Sequence, residues 1–215
     1  MSRVLVFSRT TDYRHESIEH TVEVVRVLLE ADGHEVTHTE DASAFTTAGL
    51  APYALTVWVS VTGDVLDEQQ RGVVARWLHA GGAWAGVHGA TLAEPSWPEF
   101  ERIAGAVFSG HPDLQPATVH VADPTHPSTA GLPVEWQHTD EWYEFRRPPT
   151  DRTVLLTVDE ATYTGGAMGP DHPIAWHGPY GRGRTWYTAL GHEVEAFDGP
   201  LLREHLRGGL RSLLT

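Results

Sequence analysis

Between Arg3 and Val87 short, unbroken apolar runs alternate with stretches of helical periodicity, and this alternation restricts the fold more than any other feature of the chain. Arg3-Val4-Leu5-Val6-Phe7-Ser8 is apolar at its centre and polar at its end, as a strand buried on both faces of a parallel sheet should be. From Ser17 to Ala31 the residues Ile18, Val22, Val25, Leu28 and Leu29 recur at helical spacing, and Asp32-Gly33 supplies a stop. His34 to His38 and Ala54 to Val59 predict the second and third strands. Asp67 to Ala80 predicts a helix that buries Val73, Val74, Trp77 and Leu78 and ends at Gly81-Gly82. Ala83 to Val87 then returns as a strand of small residues. Strands separated by helices of this length imply βαβ units and a doubly wound parallel sheet. In such sheets ligands bind beyond the carboxyl ends of the strands.

After Pro95 the pattern changes. Val119 to Val121, Val154 to Val158, Pro173 to Trp176 and Thr185 to Ala189 are strand-like, with Pro and Gly between them, and only Pro200 to Leu214 reads as a helix. With no repeat or low-complexity linker, residues 1–215 are expected to form one domain; the alternative is a small antiparallel addition from residues about 115 to 180. No stretch approaches the roughly 20 apolar residues that span a bilayer. Met1-Ser2-Arg3 runs straight into a short apolar segment unlike a signal peptide, so a cytoplasmic location is expected.

Composition removes whole classes of chemistry. There is no Cys, which excludes disulfides, thiolate metal sites and thiol nucleophiles. All 15 basic residues are Arg, so a lysine Schiff base and a P-loop lysine are excluded as well. A formal charge of −14 argues against a nucleic-acid partner, which basic side chains would have to neutralise. With 14 His, imidazole and carboxylate chemistry remains.

Five groups of residues could carry it. Gly86-Val87-His88-Gly89-Ala90 ends a predicted strand, and a sharp turn there would project His88 above the sheet as an acid, base or metal ligand. That role requires His88 to face an open cleft; otherwise it only closes the strand. Gly191-His192-Glu193 follows another strand end, where carboxylates could fix the imidazole tautomer. Asp140 and Glu141, flanked by Trp142 and Tyr143, suit proton transfer and sugar stacking. Adjacent residues on an extended chain point to opposite sides, so one of the two carboxylates should face the site. His111-Pro112, His126-Pro127 and His172-Pro173 hold imidazoles stiffly, with His126 read as a turn residue. Arg14 and His15, in the loop after the first strand, could enter the same cleft. No single spacing is a metal signature; a site of His15, His88 and His192 would have to be gathered by the fold.

Taken in order, these residues resemble the ThuA-like (trehalose utilisation) family of the class I glutamine amidotransferase-like superfamily. The resemblance runs from Arg14-His15 and Gly86-Val87-His88 through Ala104 to Phe108, His111-Pro112 and Asp140-Glu141-Trp142-Tyr143. It continues through His172 to Trp176 and Tyr187 to His192. It implies a flavodoxin-like, doubly wound, mostly parallel sheet of the amidotransferase type with antiparallel additions in the second half. It also implies a role in trehalose or related disaccharide catabolism, often beside oxidoreductases that make 3-keto sugars. His88 stands where amidotransferases carry their nucleophilic Cys, so glutaminase activity is excluded.

The expected function is action on a keto-glycoside, as an isomerase, lyase or hydrolase. His88, His192, Asp140 and Glu141 would be catalytic, and Arg14, His15, His111, Tyr143, His172 and Trp176 would bind the sugar. A divalent metal such as zinc on His15, His88 and His192 is a compatible addition. The alternative is a non-catalytic carbohydrate-binding or regulatory module, favoured by the missing nucleophile and the many aromatic residues. The partner is a small carbohydrate, with no membrane; assembly into a homo-oligomer is left open.

Overall fold

The apolar runs become the strands that their buried character requires. In the computed structural model, which describes residues 1–215, β1 (Arg3–Phe7) is followed by α1 (Ile18–Ala31), β2 (Glu35–Thr39) and the short α2 (Thr47–Leu50). Next come β3 (Leu55–Val59), the two-residue β4 (Thr62–Gly63), α3 (Glu68–His79), β5 (Ala83–Val87) and β6 (Leu92–Ala93), which pairs with β4. The middle of the chain supplies α4 (Pro98–Ala104), β7 (Phe108–Gly110), β8 (Gln115–Val121), β9 (Glu135–Asp140) and β10 (Glu144–Phe145). The chain ends with β11 (Thr153–Val158), β12 (His172–Tyr180), β13 (Gly183–Thr188) and α5 (Pro200–Leu213).

Nine strands form one sheet in the order β2-β1-β3-β5-β13-β12-β11-β8-β9. The first five are mutually parallel, and each of the last four runs antiparallel to its neighbour. The antiparallel strands therefore extend the parallel sheet, with β13 as the join. Winding reverses between β1 and β3, so α1 and α3 cover opposite faces by the right-handed crossover rule, and the crevice at the reversal opens at the carboxyl ends. All residues of β3 and β5 are buried, as strands covered on both faces must be. Helix α1 buries Ile18, Thr21, Val22, Val24, Val25 and Leu29 and packs against α5. Asp67 caps α3 in a reciprocal box with Gln70, which fixes where that helix starts.

Of the elements the sequence does not predict, the two longest are β9 and α4. Strand β9 is an edge strand whose exposed face is polar, so its sequence carries no apolar run. Helix α4 has seven residues, started by Pro98 at its first position and stopped by Gly105 at φ +97°, too few for a periodic stripe to register. No helix is long and apolar enough to cross a membrane.

Candidate functional site

Three parallel strands end in loops that deliver an imidazole to one point above the sheet. His15 comes from the loop after β1, His88 from the residue following β5, and His192 from the loop after β13. Glu141, one residue beyond β9, joins them. One ligand-capable atom from each of His15, His88, Glu141 and His192 lies within 4.8 Å of the others.

The turn at His88 is sharp: its φ is +49°, in the left-handed region that costs an L-residue about 1–2 kcal/mol. Tyr187 supports the turn by donating its hydroxyl to the His88 carbonyl at 2.8 Å. The next residue must be Gly, because a Cβ at Gly89 would meet His15 Cε1 at 2.9 Å and the Ser60 backbone at 3.2 Å. The same glycine that releases the turn thus lets His15 approach His88.

Hydrogen bonding sets the tautomers. His88 Nδ1 lies 2.7 Å from the Ala189 carbonyl, which only accepts, so Nδ1 carries the proton. Burial lowers the pKa of His88, leaving Nε2 with a free lone pair that accepts the Tyr143 hydroxyl at 2.8 Å. The Tyr143 oxygen then accepts from His15 Nε2 at 3.2 Å. His15 Nδ1 is left buried without a partner. Burial, reinforced by His88, His192 and His111, pushes His15 down to about 2, so it is neutral. His192 differs. Desolvation works against its charge, but the hydrogen bond from Nδ1 to Glu141 at 2.9 Å and the charges of Glu141, Asp140 and Glu193 prevail and raise its pKa.

Asp140 shapes the site from beneath. One oxygen accepts from the backbone of His192 at 3.1 Å and of Glu141 at 2.9 Å. The other accepts from Gly191 N at 2.7 Å and His138 Nε2 at 3.2 Å. Burial pushes this carboxyl up, yet His138, His88 and the Gly191 N–H outweigh it and hold it below the usual carboxylate value. Ser17 adds a second tie, donating its hydroxyl to the Gly191 carbonyl at 3.1 Å.

The structure brings His15, His88, His192, Glu141, Tyr143 and His111 together, sets Asp140 and His172 behind them as supports, and leaves Arg14 and Trp176 apart. His111 Nε2 is 3.5 Å from the second oxygen of Glu141. Arg14 points away, paired with Glu19 and Glu40 at 2.7 and 2.8 Å. Trp176 is sealed in the core with its indole N–H on the Ala104 carbonyl at 2.7 Å, so it cannot touch a sugar. His172 is sealed too, donating from Nε2 to the Tyr143 carbonyl at 2.8 Å; it positions Tyr143. The Tyr143 ring is buried and presents no face for stacking, while its hydroxyl serves the cluster. Asp140 is likewise a positioning residue. The largest correction concerns His88, whose side chain is fully buried and so does not face an open cleft. The groups that reach solvent are His111, His192 and Glu141, at 33%, 17% and 12% side-chain exposure. Sequence reasoning missed Ser17 and His138 as supports. Both lie within two residues of a named site residue, but their roles depend on partners 174 positions away for Ser17 and on a strand that carries no apolar signal for His138.

The donor set suits a divalent first-row metal. Burial keeps His15 and His88 neutral, so each has one ring nitrogen with a lone pair: His15 Nδ1, which has no partner, and His88 Nε2, which accepts the Tyr143 hydroxyl. The His88 Nε2 to His192 Nδ1 separation is 3.3 Å, close enough for one such ion to meet both nitrogens.

The family profile described as ThuA, trehalose utilisation, matches residues 3–212. The chain belongs to the ThuA family. A ThuA-like protein from Bacteroides uniformis superposes with a TM-score of 0.83 at 22% identity, covering 99% of this chain and 91% of that one. A ThuA-like protein from Parabacteroides merdae gives 0.80 at 24% identity, covering 99% and 90%. A β-galactosidase from Bacillus circulans matches 99% of this ThuA chain with 30% of its own, at a TM-score of 0.65 and 11% identity. These likenesses are of fold. Comparison with curated protein sequences finds no match.

Proposed function

We propose that this ThuA-family protein acts on an oxidised glycoside, a keto sugar, by proton abstraction next to the ketone at a metal-assisted His/Glu site. The observation that carries this reading is the convergence of His15, His88, His192 and Glu141 at the carboxyl end of the parallel strands, in a chain with no thiol. Membership of a trehalose utilisation family supports a carbohydrate-related role.

His15, His88 and His192 would hold a divalent ion such as zinc, which as a Lewis acid polarises a carbonyl. This assignment accounts for the burial of His88, since a metal ligand need not meet solvent. Glu141 is the base. A ketone acidifies the neighbouring C–H, and the Glu141 carboxylate takes that proton to leave an enediolate. Where a glycosidic oxygen lies β to the ketone, the C–O bond breaks with its electron pair on oxygen, and His111 delivers a proton to the alkoxide. Glu141 then holds the proton taken from carbon and passes it to His111, 3.5 Å away, which restores both groups. Without such a leaving group, reprotonation on the adjacent carbon isomerises the sugar. Asp140 keeps Glu141 and His192 in register throughout by holding their backbone N–H groups.

The test is turnover of 3-keto-trehalose by protein stripped with EDTA and resupplied with Zn or Mn. Turnover is expected with metal, with loss of at least about 100-fold in Glu141→Gln, the usual contribution of a positioned base. Absence of turnover under every metal condition overturns the reading. The burial of His15 and His88 also suits a carbohydrate-binding module; that alternative requires sugar to bind with no product formed, and binding indifferent to Glu141→Gln.

A further inference from the structure

The residues expected to stack on a sugar do not present a face to one. Trp142, Tyr143, Trp176 and Trp186 are all buried, at 0–1% exposure. A different aromatic borders the cluster. Tyr13 is 57% exposed, and its ring meets the edge of His15 at 4.7 Å and 85°. A ligand that covers an exposed aromatic ring gains by removing its apolar surface from water.

Tyr13 is also held firmly. Thr62 donates its hydroxyl to the Tyr13 carbonyl at 2.6 Å, and Thr11 N donates to the Thr62 carbonyl at 3.0 Å. The Thr11 hydroxyl reaches the Asp64 carbonyl at 3.0 Å, and Thr10 bridges Thr62 in parallel. Gly63, at φ +75°, allows this close approach, since a Cβ there would meet the Thr11 hydroxyl at 2.3 Å. The loop after β1 is thus clamped to the loop after β3 across the crevice where the winding reverses. An exposed ring on a clamped backbone has little entropy left to lose when a ligand covers it.

We infer that Tyr13 is the stacking platform of the site, taking the apolar face of a pyranose ring of the glycoside whose ketone is presented to Glu141. The inference rests on the proposed function for the identity of the ligand, and on Tyr13 itself for the place. A carbohydrate fits because it offers flat C–H faces for the ring and hydroxyls for solvent and for the solvent-reaching Glu141 and His192. A purely ionic ligand would leave the phenol unused.

The experiment compares wild type, Tyr13→Ala and Tyr13→Phe. With 3-keto-trehalose as substrate, Tyr13→Ala raises KM about tenfold, kcat falls by less than KM rises, and Tyr13→Phe restores the wild-type KM. Unchanged KM in Tyr13→Ala, with wild type active, overturns the inference and leaves the proposed function standing. If wild type shows no turnover, trehalose binding read by saturation-transfer NMR decides instead. Loss of the sugar signal in Tyr13→Ala and its return in Tyr13→Phe supports the platform. Retention in Tyr13→Ala, or no binding by wild type, overturns it.

Discussion

At the scale of single residues the site is a chain of proton positions fixed by one backbone carbonyl. Because Ala189 can only accept, His88 Nε2 must accept from Tyr143, and Tyr143 must accept from His15. Tyr143→Phe deletes one hydroxyl and strands two buried ring nitrogens. It should cost about 1–3 kcal/mol in metal-free protein, read by denaturant unfolding in EDTA, and the loss should shrink when zinc occupies the His88 Nε2 lone pair. Equal losses with and without zinc would mean that the imidazoles do not hold the ion. Asp140→Asn replaces an acceptor of four hydrogen bonds by a group with one acceptor oxygen. It should lower zinc affinity by about 10–100-fold, measured by competition with a chelating dye, while the fold persists by circular dichroism. The place of His88 was legible from a strand ending in Gly-Val-His-Gly. Its burial was not, because the residues that cover it, Tyr143 and His192, arrive from 55 and 104 positions away. Of the two adjacent carboxylates the alternation argument allowed one in the site. It could not say that Glu141 would be that one, because the choice depends on the backbone N–H groups that Asp140 finds in the 191–192 turn.

At the scale of elements, two contacts hold the supporting loops. Glu94, buried and at φ +55°, accepts from Val65 N at 2.9 Å and Leu66 N at 2.8 Å and pairs with Arg71 of α3 at 2.5 Å. Glu94→Ala leaves Arg71 and two amides unpaired, and should destabilise the protein by about 3–5 kcal/mol in urea melts. On α5, His205 is fully buried, with Nδ1 on the Ser128 carbonyl at 2.9 Å and Nε2 unpartnered. Burial, with the backbone bond opposing it, lowers its pKa to about 4. The unfolded chain therefore binds the proton first as pH falls. The stability from neutral His205 is complete above about 6.5 and is lost progressively as pH drops through 4, up to roughly 3 kcal/mol. In His205→Phe the difference in unfolding free energy between pH 7.5 and pH 4.5 should narrow; an unchanged difference would place the titration elsewhere. The parallel strands and the three long helices were readable because each carries its own period. Strand β9 was not, since an edge strand with alternating polar residues looks like a loop until the neighbour that pairs with it is known.

At the scale of the whole molecule, the order β2-β1-β3-β5-β13 in the parallel half puts three strand ends at one mouth, and the antiparallel half brings Glu141 to it from the far edge of the sheet. The first part follows from the βαβ pattern and the absence of Cys. The second does not, because Glu141 reaches the site through the short segment between β9 and β10, which lays Tyr143 over His88. The account thus rests on a base from one half of the sheet working over imidazoles from the other. The direct test is hydrogen exchange at the carbon beside the ketone: 3-keto-trehalose in D2O with zinc-loaded protein, followed by proton NMR. Loss of that C–H signal with wild type, slowed at least about 100-fold in Glu141→Gln, is the predicted result. A keto sugar that binds wild type and keeps its C–H, or one that exchanges equally fast in Glu141→Gln, would contradict it.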